Sequence, residues 1–390
     1  MGANYLRKTS VLGEWASRVG KTTVISELYK VCSEYITFDH DTLHKSLGDW
    51  KIIINGGIYM VNVWDEINKI VENYKIENHL SGTLLVSQDG KVLFEKAYGK
   101  ANMQFGVENT LEMKFFIASV TKMFIAAAAI KLHEESSINL HAHPGIYIDT
   151  LKHLHHKITL HHLISHTSGL YDIYAIPNIR YEMSKLNNEK GDFLNYLSNQ
   201  EQLFVPGVGW KYNSTGFIIM GYILEAVTGK TFETLLNEIF FNPLNMNSTG
   251  LHNPRQIVVN RAYGYTIESG EFRNADYDKL VEIEAPGELY STVRDLNIWC
   301  EAILNETILS GDSRDIMFTP YASVDFDPKF KYGYGWFLGE NFRWIPGGSP
   351  GYKADVWQFP EKKVNIIMLW NYEKVNSYVL FERIRDLLNL

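Results

Sequence analysis

Ser119-Val120-Thr121-Lys122 places a hydroxyl and an amine three residues apart where a helix should begin. On a helix, residues i and i+3 share a face about one turn apart, so the Lys122 amine can fold back onto the Ser119 hydroxyl. That is the geometry of a serine nucleophile supplied with its own base. Only a neutral amine can accept the hydroxyl proton, and burial near other positive or hydrogen-bonding groups weakens an amine's preference for the charged form. The run Met123-Phe124-Ile125-Ala126-Ala127-Ala128-Ala129-Ile130-Lys131-Leu132 joins strong helix formers to an apolar surface. It predicts a buried helix carrying both groups on a rigid support. In isolation the same spelling describes a helix N-cap serine followed by a solvated lysine. The rest of the chain has to separate the two readings.

Downstream lie Lys157-Ile158-Thr159-Leu160-His161-His162-Leu163-Ile164-Ser165-His166-Thr167-Ser168-Gly169-Leu170, then Trp210-Lys211-Tyr212-Asn213-Ser214-Thr215-Gly216-Phe217, and later Pro346-Gly347-Gly348-Ser349-Pro350-Gly351-Tyr352. In that order and spacing the segments resemble the serine beta-lactamase-like hydrolases: class C beta-lactamases, penicillin-binding D-alanyl-D-alanine carboxypeptidases and related esterases. Further phrases resemble the same family, including Tyr98-Gly99-Lys100-Ala101-Asn102, Gly221-Tyr222-Ile223-Leu224-Glu225-Ala226-Val227-Thr228-Gly229-Lys230 and Leu289-Tyr290-Ser291-Thr292-Val293-Arg294-Asp295-Leu296. The resemblance runs from about residue 65 to 390. It implies Ser119 as nucleophile, Lys122 as base, Tyr212 as a second proton-transfer group, and an acyl-enzyme formed without metal or organic cofactor. The implied partner is a small acyl substrate: a beta-lactam, a D-alanyl peptide or an ester.

Two positions depart from the family's pattern. Its Tyr-x-Asn motif reads Tyr212-Asn213-Ser214 here, so Ser214 or Asn213 is left to orient the substrate. Its late Lys/His-x-Gly strand reads Arg343-Trp344-Ile345-Pro346-Gly347-Gly348, which puts Ile345 or Pro346 where a cation is usual. Arg343 and Lys353 are the nearby cations that could replace it. Without one, an ester or small peptide-like amide suits the site at least as well as a beta-lactam. The oxyanion side is retained. The Ser119 N–H at a helix start is one expected donor, and the Gly347-Gly348-Ser349 strand, where glycine lets backbone approach a ligand closely, supplies the other.

These groups need a scaffold. Period-two runs predict strands at Ser81–Gln88 and Lys91–Ala97 joined by an Asp89-Gly90 hairpin turn. Later strands are expected at Phe342–Ile345, Tyr352–Phe359 and Val364–Trp370, followed by a helix over Tyr378–Leu388. Strands at both ends with helices between them imply an α+β fold: an antiparallel sheet flanked by helices, with a helical lobe inserted at about residues 123–283. The cleft is expected where the lobes meet.

A net charge of -8 and a pI near 5.9 argue against nucleic acid, which would want a basic stripe. The two cysteines, Cys32 and Cys300, are far apart and outside any metal spacing. The crowded His153, His155, His156, His161, His162 and His166 could bind a transition metal, yet no carboxylate or cysteine completes a ligand set. Structural roles are expected for them, with His166 as a hydrogen-bonding framework residue. No apolar run reaches membrane-spanning length, and no basic segment leads into an apolar one at the N-terminus, so a cytoplasmic protein is expected.

Residues 1–64 stand outside this plan as an N-terminal extension. Gly13-Glu14-Trp15-Ala16-Ser17-Arg18-Val19-Gly20-Lys21-Thr22-Thr23 resembles a degraded phosphate-binding loop, with a helix expected over Thr23–Tyr29. About 60 residues cannot supply the βαβ units of a nucleotide-binding domain, so a remnant or an appended interaction segment is expected. The competing reading of the whole chain follows from it: a catalytically weak scaffold with an N-terminal partner- or nucleotide-binding segment.

Overall fold

The computed structural model describes residues 49–54, 57–177, 179, 190–251, 256–275 and 288–390. The phosphate-loop-like segment and Cys32 lie outside the described residues. The chain divides into two units, one holding residues up to Asn78 together with Tyr378–Leu390, the other His79–Ser377.

In the first unit, strands β1 (Asp49–Ile54) and β2 (Gly57–Asn62) form an antiparallel hairpin leading into helix α1 (Val63–Asn78). Asn62 starts that helix by accepting the Trp64 N–H at 2.9 Å, and Val63, Ile67, Ile70, Val71 and Tyr74 form its buried stripe.

The second unit carries the chemistry. β3 (Gly82–Gln88) and β4 (Lys91–Tyr98) are joined through Asp89 and Gly90, both at positive φ, as a tight primed turn requires. A short pair, β5 (Lys100–Asn102) and β6 (Val107–Glu108), follows, then β7 (Phe115–Phe116) and helix α2 (Thr121–Glu134). Helices α3 (Leu160–Ile164), α4 (Lys190–Ser198), α5 (Ser214–Thr228) and α6 (Phe232–Leu236) make up most of the helical region. β8 (Gly250–Leu251), the pair β9 (Tyr265–Glu268) and β10 (Glu271–Asn274), and β11 (Leu289–Ser291) precede α7 (Val293–Leu304) and α8 (Gly311–Met317). The chain then enters β12 (Ala322–Ser323), β13 (Lys331–Tyr332), β14 (Phe337–Leu338), β15 (Arg343–Ser349), β16 (Tyr352–Phe359) and β17 (Val364–Trp370); the last helix, α9 (Ser377–Leu387), belongs from Tyr378 onward to the first unit.

The main sheet is antiparallel and eight-stranded, ordered β12-β13-β14-β15-β16-β17-β3-β4. Its centre is fully buried along β17, where Asn365 is the one polar side chain among apolar residues, and α2 is buried from Thr121 to Ile130. The four alanines of α2 leave room for neighbours, among them Trp299 of α7, whose ring lies 4.2 Å from that of Phe124.

β15 runs further than its residues suggest. The strand was expected to stop at Ile345, yet it continues through Pro346-Gly347-Gly348 to Ser349, registered against Tyr352–Asp355 of β16. The proline is accommodated because β14 pairs only with Arg343 and Trp344, so no strand occupies the other edge beyond Trp344.

Candidate active site

Ser119 sits in a single 3₁₀ turn, Ala118–Val120, that feeds directly into α2. β7 and the adjoining Ile117 pin the turn from one side. Tyr290 and Ser291 of β11 pair with Phe116 and Phe115, the Ile117 N–H donates to Leu289 O at 3.0 Å, and the Leu289 N–H donates to Thr121 Oγ1 at 3.1 Å. Ala118 adopts φ 45°, the left-handed region that costs a non-glycine residue about 1 kcal/mol. No side chain caps the start of α2; the Val120 N–H donates to Ile117 O at 3.0 Å and the Thr121 N–H to carbonyls of the 3₁₀ turn, and the positive end of the helix dipole lies beside Ser119.

β15 closes on the turn from the other side. A methyl group built on Gly347 would lie 2.1 Å from the Ile117 carbonyl oxygen, whereas one on Gly348 would meet nothing within 4 Å. Gly347 therefore faces the nucleophile turn and Gly348 faces away. Strand alternation puts Ile345, 2% exposed, on the face of Gly347, and Pro346 and Lys353 on the opposite face. Lys353, registered against Gly348, is thus directed away from Ser119. Arg343 shares the Gly347 face four residues away, but its guanidinium stacks 3.3 Å from the Phe318 ring centroid, and burial pushes its pKa down to about 10. The side chain beside Gly347 on the nucleophile side is a buried isoleucine.

Lys122, on the first turn of α2, is only 6% exposed. Its Nζ donates to Ser119 Oγ at 2.9 Å and to Ser214 Oγ at 3.3 Å. The Tyr212 and Phe217 rings lie 5.1 and 5.7 Å from the same nitrogen. Ser119, Lys122, Tyr212 and Ser214 are therefore brought together. Asn213 is not part of that cluster. Its side chain caps α5 by accepting the Gly216 N–H at 2.8 Å, donates to Leu170 O, and is 2% exposed.

His166 anchors this arrangement. Its backbone is held at φ 60°, its Nδ1 accepts the Asn213 N–H at 3.2 Å, and its ring lies 4.4 Å from Tyr212 and 4.5 Å from Tyr332. Burial, reinforced by the Lys122 charge, holds its pKa well below the usual histidine range, so the ring is neutral. Burial likewise drives the Tyr332 hydroxyl well up, with Tyr212 adding to it. The other histidines have local duties: His162 completes a capping box with Thr159, His161 Nδ1 meets Tyr334 Oη at 2.7 Å, and His153 Nε2 meets Ser198 O at 3.1 Å. Among the described residues no three His, Cys, Asp or Glu side chains are grouped to hold a metal ion, and no helix is long and apolar enough to cross a membrane.

Sequence reasoning missed Asp172. It lies two residues beyond Leu170, carries no recognisable spacing, and meets Ser214 only because the chain folds back after 42 residues.

The arrangement is one that can move a proton between a serine hydroxyl and an amine beneath a backbone wall, and known proteins share its scaffold. A Beta-lactamase family model matches residues 67–389. Penicillin-binding protein 4* of Bacillus subtilis (strain 168) is 24% identical over 331 residues, spanning 80% of this chain and 72% of its own. Two solved structures superpose well. A beta-lactamase/D-alanine carboxypeptidase from Pseudomonas syringae has a TM-score of 0.71 at 19% identity, covering 83% of this chain and 98% of its own. EstCE1, described as a hydrolase with promiscuous acyltransferase activity, has a TM-score of 0.72 at 18% identity, covering 84% and 98%. This chain belongs to the Beta-lactamase family, a family of serine hydrolases.

Proposed function

We propose that the protein is a hydrolase that forms an acyl-enzyme on Ser119 and releases it to water, acting on an uncharged ester or small amide. The observation that carries the reading is the 2.9 Å approach of the buried Lys122 Nζ to Ser119 Oγ, with Ser214 Oγ as the amine's second partner. In its deprotonated form Lys122 takes the Ser119 proton as Oγ bonds to the acyl carbon. The carbonyl oxygen becomes an oxyanion facing the Ser119 N–H and the Gly347-Gly348 backbone, Gly348 lying on the open side. Tyr212 and Lys122 then return a proton to the leaving group, and a water repeats the attack in reverse.

Ile345 favours an uncharged substrate, because no cation beside Gly347 balances a carboxylate. The neighbour EstCE1, described as a hydrolase with promiscuous acyltransferase activity, supports acyl transfer, while the name of the Bacillus relative keeps penicillin as the competing ligand. The experiment follows p-nitrophenyl butyrate hydrolysis, together with intact-protein mass in the presence of benzylpenicillin, for wild type and Ser119→Ala. Ester turnover lost in the variant supports the proposal. A lasting penicillin adduct on the wild type alone, without ester turnover, replaces it with a penicillin-binding peptidase, and rapid penicillin loss with a beta-lactamase. Inertness toward both, with Ser119 refusing a fluorophosphonate probe, leaves the scaffold reading.

A further inference from the structure

The acyl-transfer scheme leaves one carboxylate beside the site unused. Asp172 Oδ1 accepts the Ser214 N–H at 2.9 Å, and Ser214 Oγ stands 3.3 Å from Lys122 Nζ. Ser214 thus joins the carboxylate to the amine by its two polar atoms. The loop that carries Asp172 is strapped to the start of α5 by neighbouring bonds. Thr215 Oγ1 donates to Tyr171 O at 2.9 Å and accepts the Ile173 N–H at 3.0 Å, and Asn213 donates to Leu170 O. The straps hold the carboxylate at the positive end of a 15-residue helix.

We infer that Asp172 is a positioning residue that fixes Ser214 and supplies the counter-charge for the ammonium Lys122 becomes when it takes the Ser119 proton. The inference rests on the acyl-enzyme reading above. In that step the Ser119 O–H bond breaks, the Oγ–acyl bond forms, the proton passes to Lys122 Nζ, and the acyl carbonyl electrons move onto the oxyanion. A positive charge therefore appears on a 6% exposed amine. Among the described residues no carboxylate lies within ion-pair distance of it.

The groups facing Lys122 leave Asp172 as the source of compensation. Ser119 is on its own turn; Tyr212, Ser214 and Phe217 face it from the start of α5, and His166 from the preceding loop, with Tyr332 behind Tyr212. β15 contributes uncharged Ile345 and Gly347. Asp172, one hydrogen bond beyond Ser214, is the acidic group of this site; burial raises its carboxyl above the usual range, while the Ser214 N–H and the Lys122 charge pull the other way.

The test is the rate at which an alkyl fluorophosphonate labels Ser119, followed against pH in wild type, Asp172→Asn, Asp172→Ala and Asp172→Glu. Asparagine keeps an oxygen for the Ser214 N–H but removes the charge. Counter-charge action predicts that Asp172→Asn falls about 10- to 100-fold at pH 8, close to Asp172→Ala, with partial recovery in Asp172→Glu. The wild-type rate should converge on the Asp172→Asn rate as pH drops and the carboxylate is protonated. A purely structural role leaves Asp172→Asn at the wild-type rate with the same pH profile, which overturns the inference.

A second measurement is independent of activity. In thermal unfolding, a cycle of Asp172→Asn with Lys122→Met should be non-additive, Asp172→Asn costing more Tm when Lys122 is present. Additivity overturns the inference. Non-additivity combined with an unlabelled wild-type Ser119 preserves the charge coupling and removes the hydrolase reading instead.

Discussion

The two faces of the β15–β16 strand pair bury ionisable groups on different terms. On the face of Gly347, the neighbouring Lys122 amine finds two hydroxyl partners, Ser119 and Ser214. On the opposite face, Asp355 is 1% exposed, accepts the Trp344 indole N–H at 3.1 Å, and leaves Oδ2 without a hydrogen-bond partner. One burial is furnished with groups among which a proton can move. The other is a charge held at a cost, because an incompletely partnered carboxylate inside a protein forfeits its hydration. Burial of an ionisable group therefore does not by itself mark a catalytic centre; its partners do.

Removing the nucleophile is the most severe way to break this comparison. Ser119→Ala should lower ester turnover by at least about a thousandfold, since the remaining binding and oxyanion contacts give only residual catalysis. Its circular dichroism and unfolding midpoint should stay near wild type, as the hydroxyl is not part of the core. A variant that retains turnover would transfer the chemistry away from this face.

The backbone wall comes next. Gly347→Ala puts a methyl against the Ile117 carbonyl, so either β15 or the nucleophile turn must move, with an expected loss of about a hundredfold in Ser119 labelling. Gly348→Ala, with open space around it, should stay within about threefold. Equal effects at the two glycines would mean that the face assignment of β15 is wrong.

Substrate charge offers a gentler probe. Ile345→His puts a donor on the nucleophile face of the strand, and KM for benzylpenicillin or a D-alanyl peptide should fall about tenfold at pH 6 relative to pH 8. Because Ile345 is almost fully buried, the variant should also lose about 1–3 kcal/mol of stability in urea unfolding. An unchanged preference for uncharged esters at both pH values would detach substrate selection from this position.

How much of this was legible depends on how local the cause is. The Ser119–Lys122 pairing is a one-turn helical relation, so spacing suggests it, and the downstream segments separate it from a capping serine with a solvated lysine. Tyr352–Phe359, Val364–Trp370 and the Asp89-Gly90 turn were equally readable, from apolar runs and from residues that tolerate positive φ. β15 was cut short because Pro-Gly-Gly has poor strand propensity, and only its registry with β16 carries it on to Ser349. The choice between Asn213 and Ser214 was undecidable from two adjacent polar residues. In the fold the helix cap consumes the Asn213 side chain and leaves Ser214 beside Lys122. Asp172 was invisible for a related reason: a lone acid acquires meaning only from the distant segment folded against it.

The far face of the strand pair yields the mildest and most separable test, because Asp355 can be altered without touching the nucleophile side. Burial raises its carboxyl from the ordinary 3.8 to about 6, with Lys353, Ser377 and Trp344 pulling the other way. The native state therefore holds this proton more tightly than the unfolded chain does. Below about pH 4 both states are protonated and nothing is lost. Between about pH 4 and pH 6 the unfolded chain ionises first and stability declines, and above about pH 6 the whole cost, about 2–3 kcal/mol, is in place. Asp355→Asn, which keeps an acceptor for Trp344, should then be more stable than wild type by about 2 kcal/mol in urea at pH 8, with the advantage fading toward pH 4. Its Ser119 labelling rate should remain within about twofold of wild type. A stability gain that does not depend on pH would show that packing, not charge, sets the cost at Asp355. A labelling rate that fell along with it would mean that the two faces are coupled, and the contrast drawn between them would have to be abandoned.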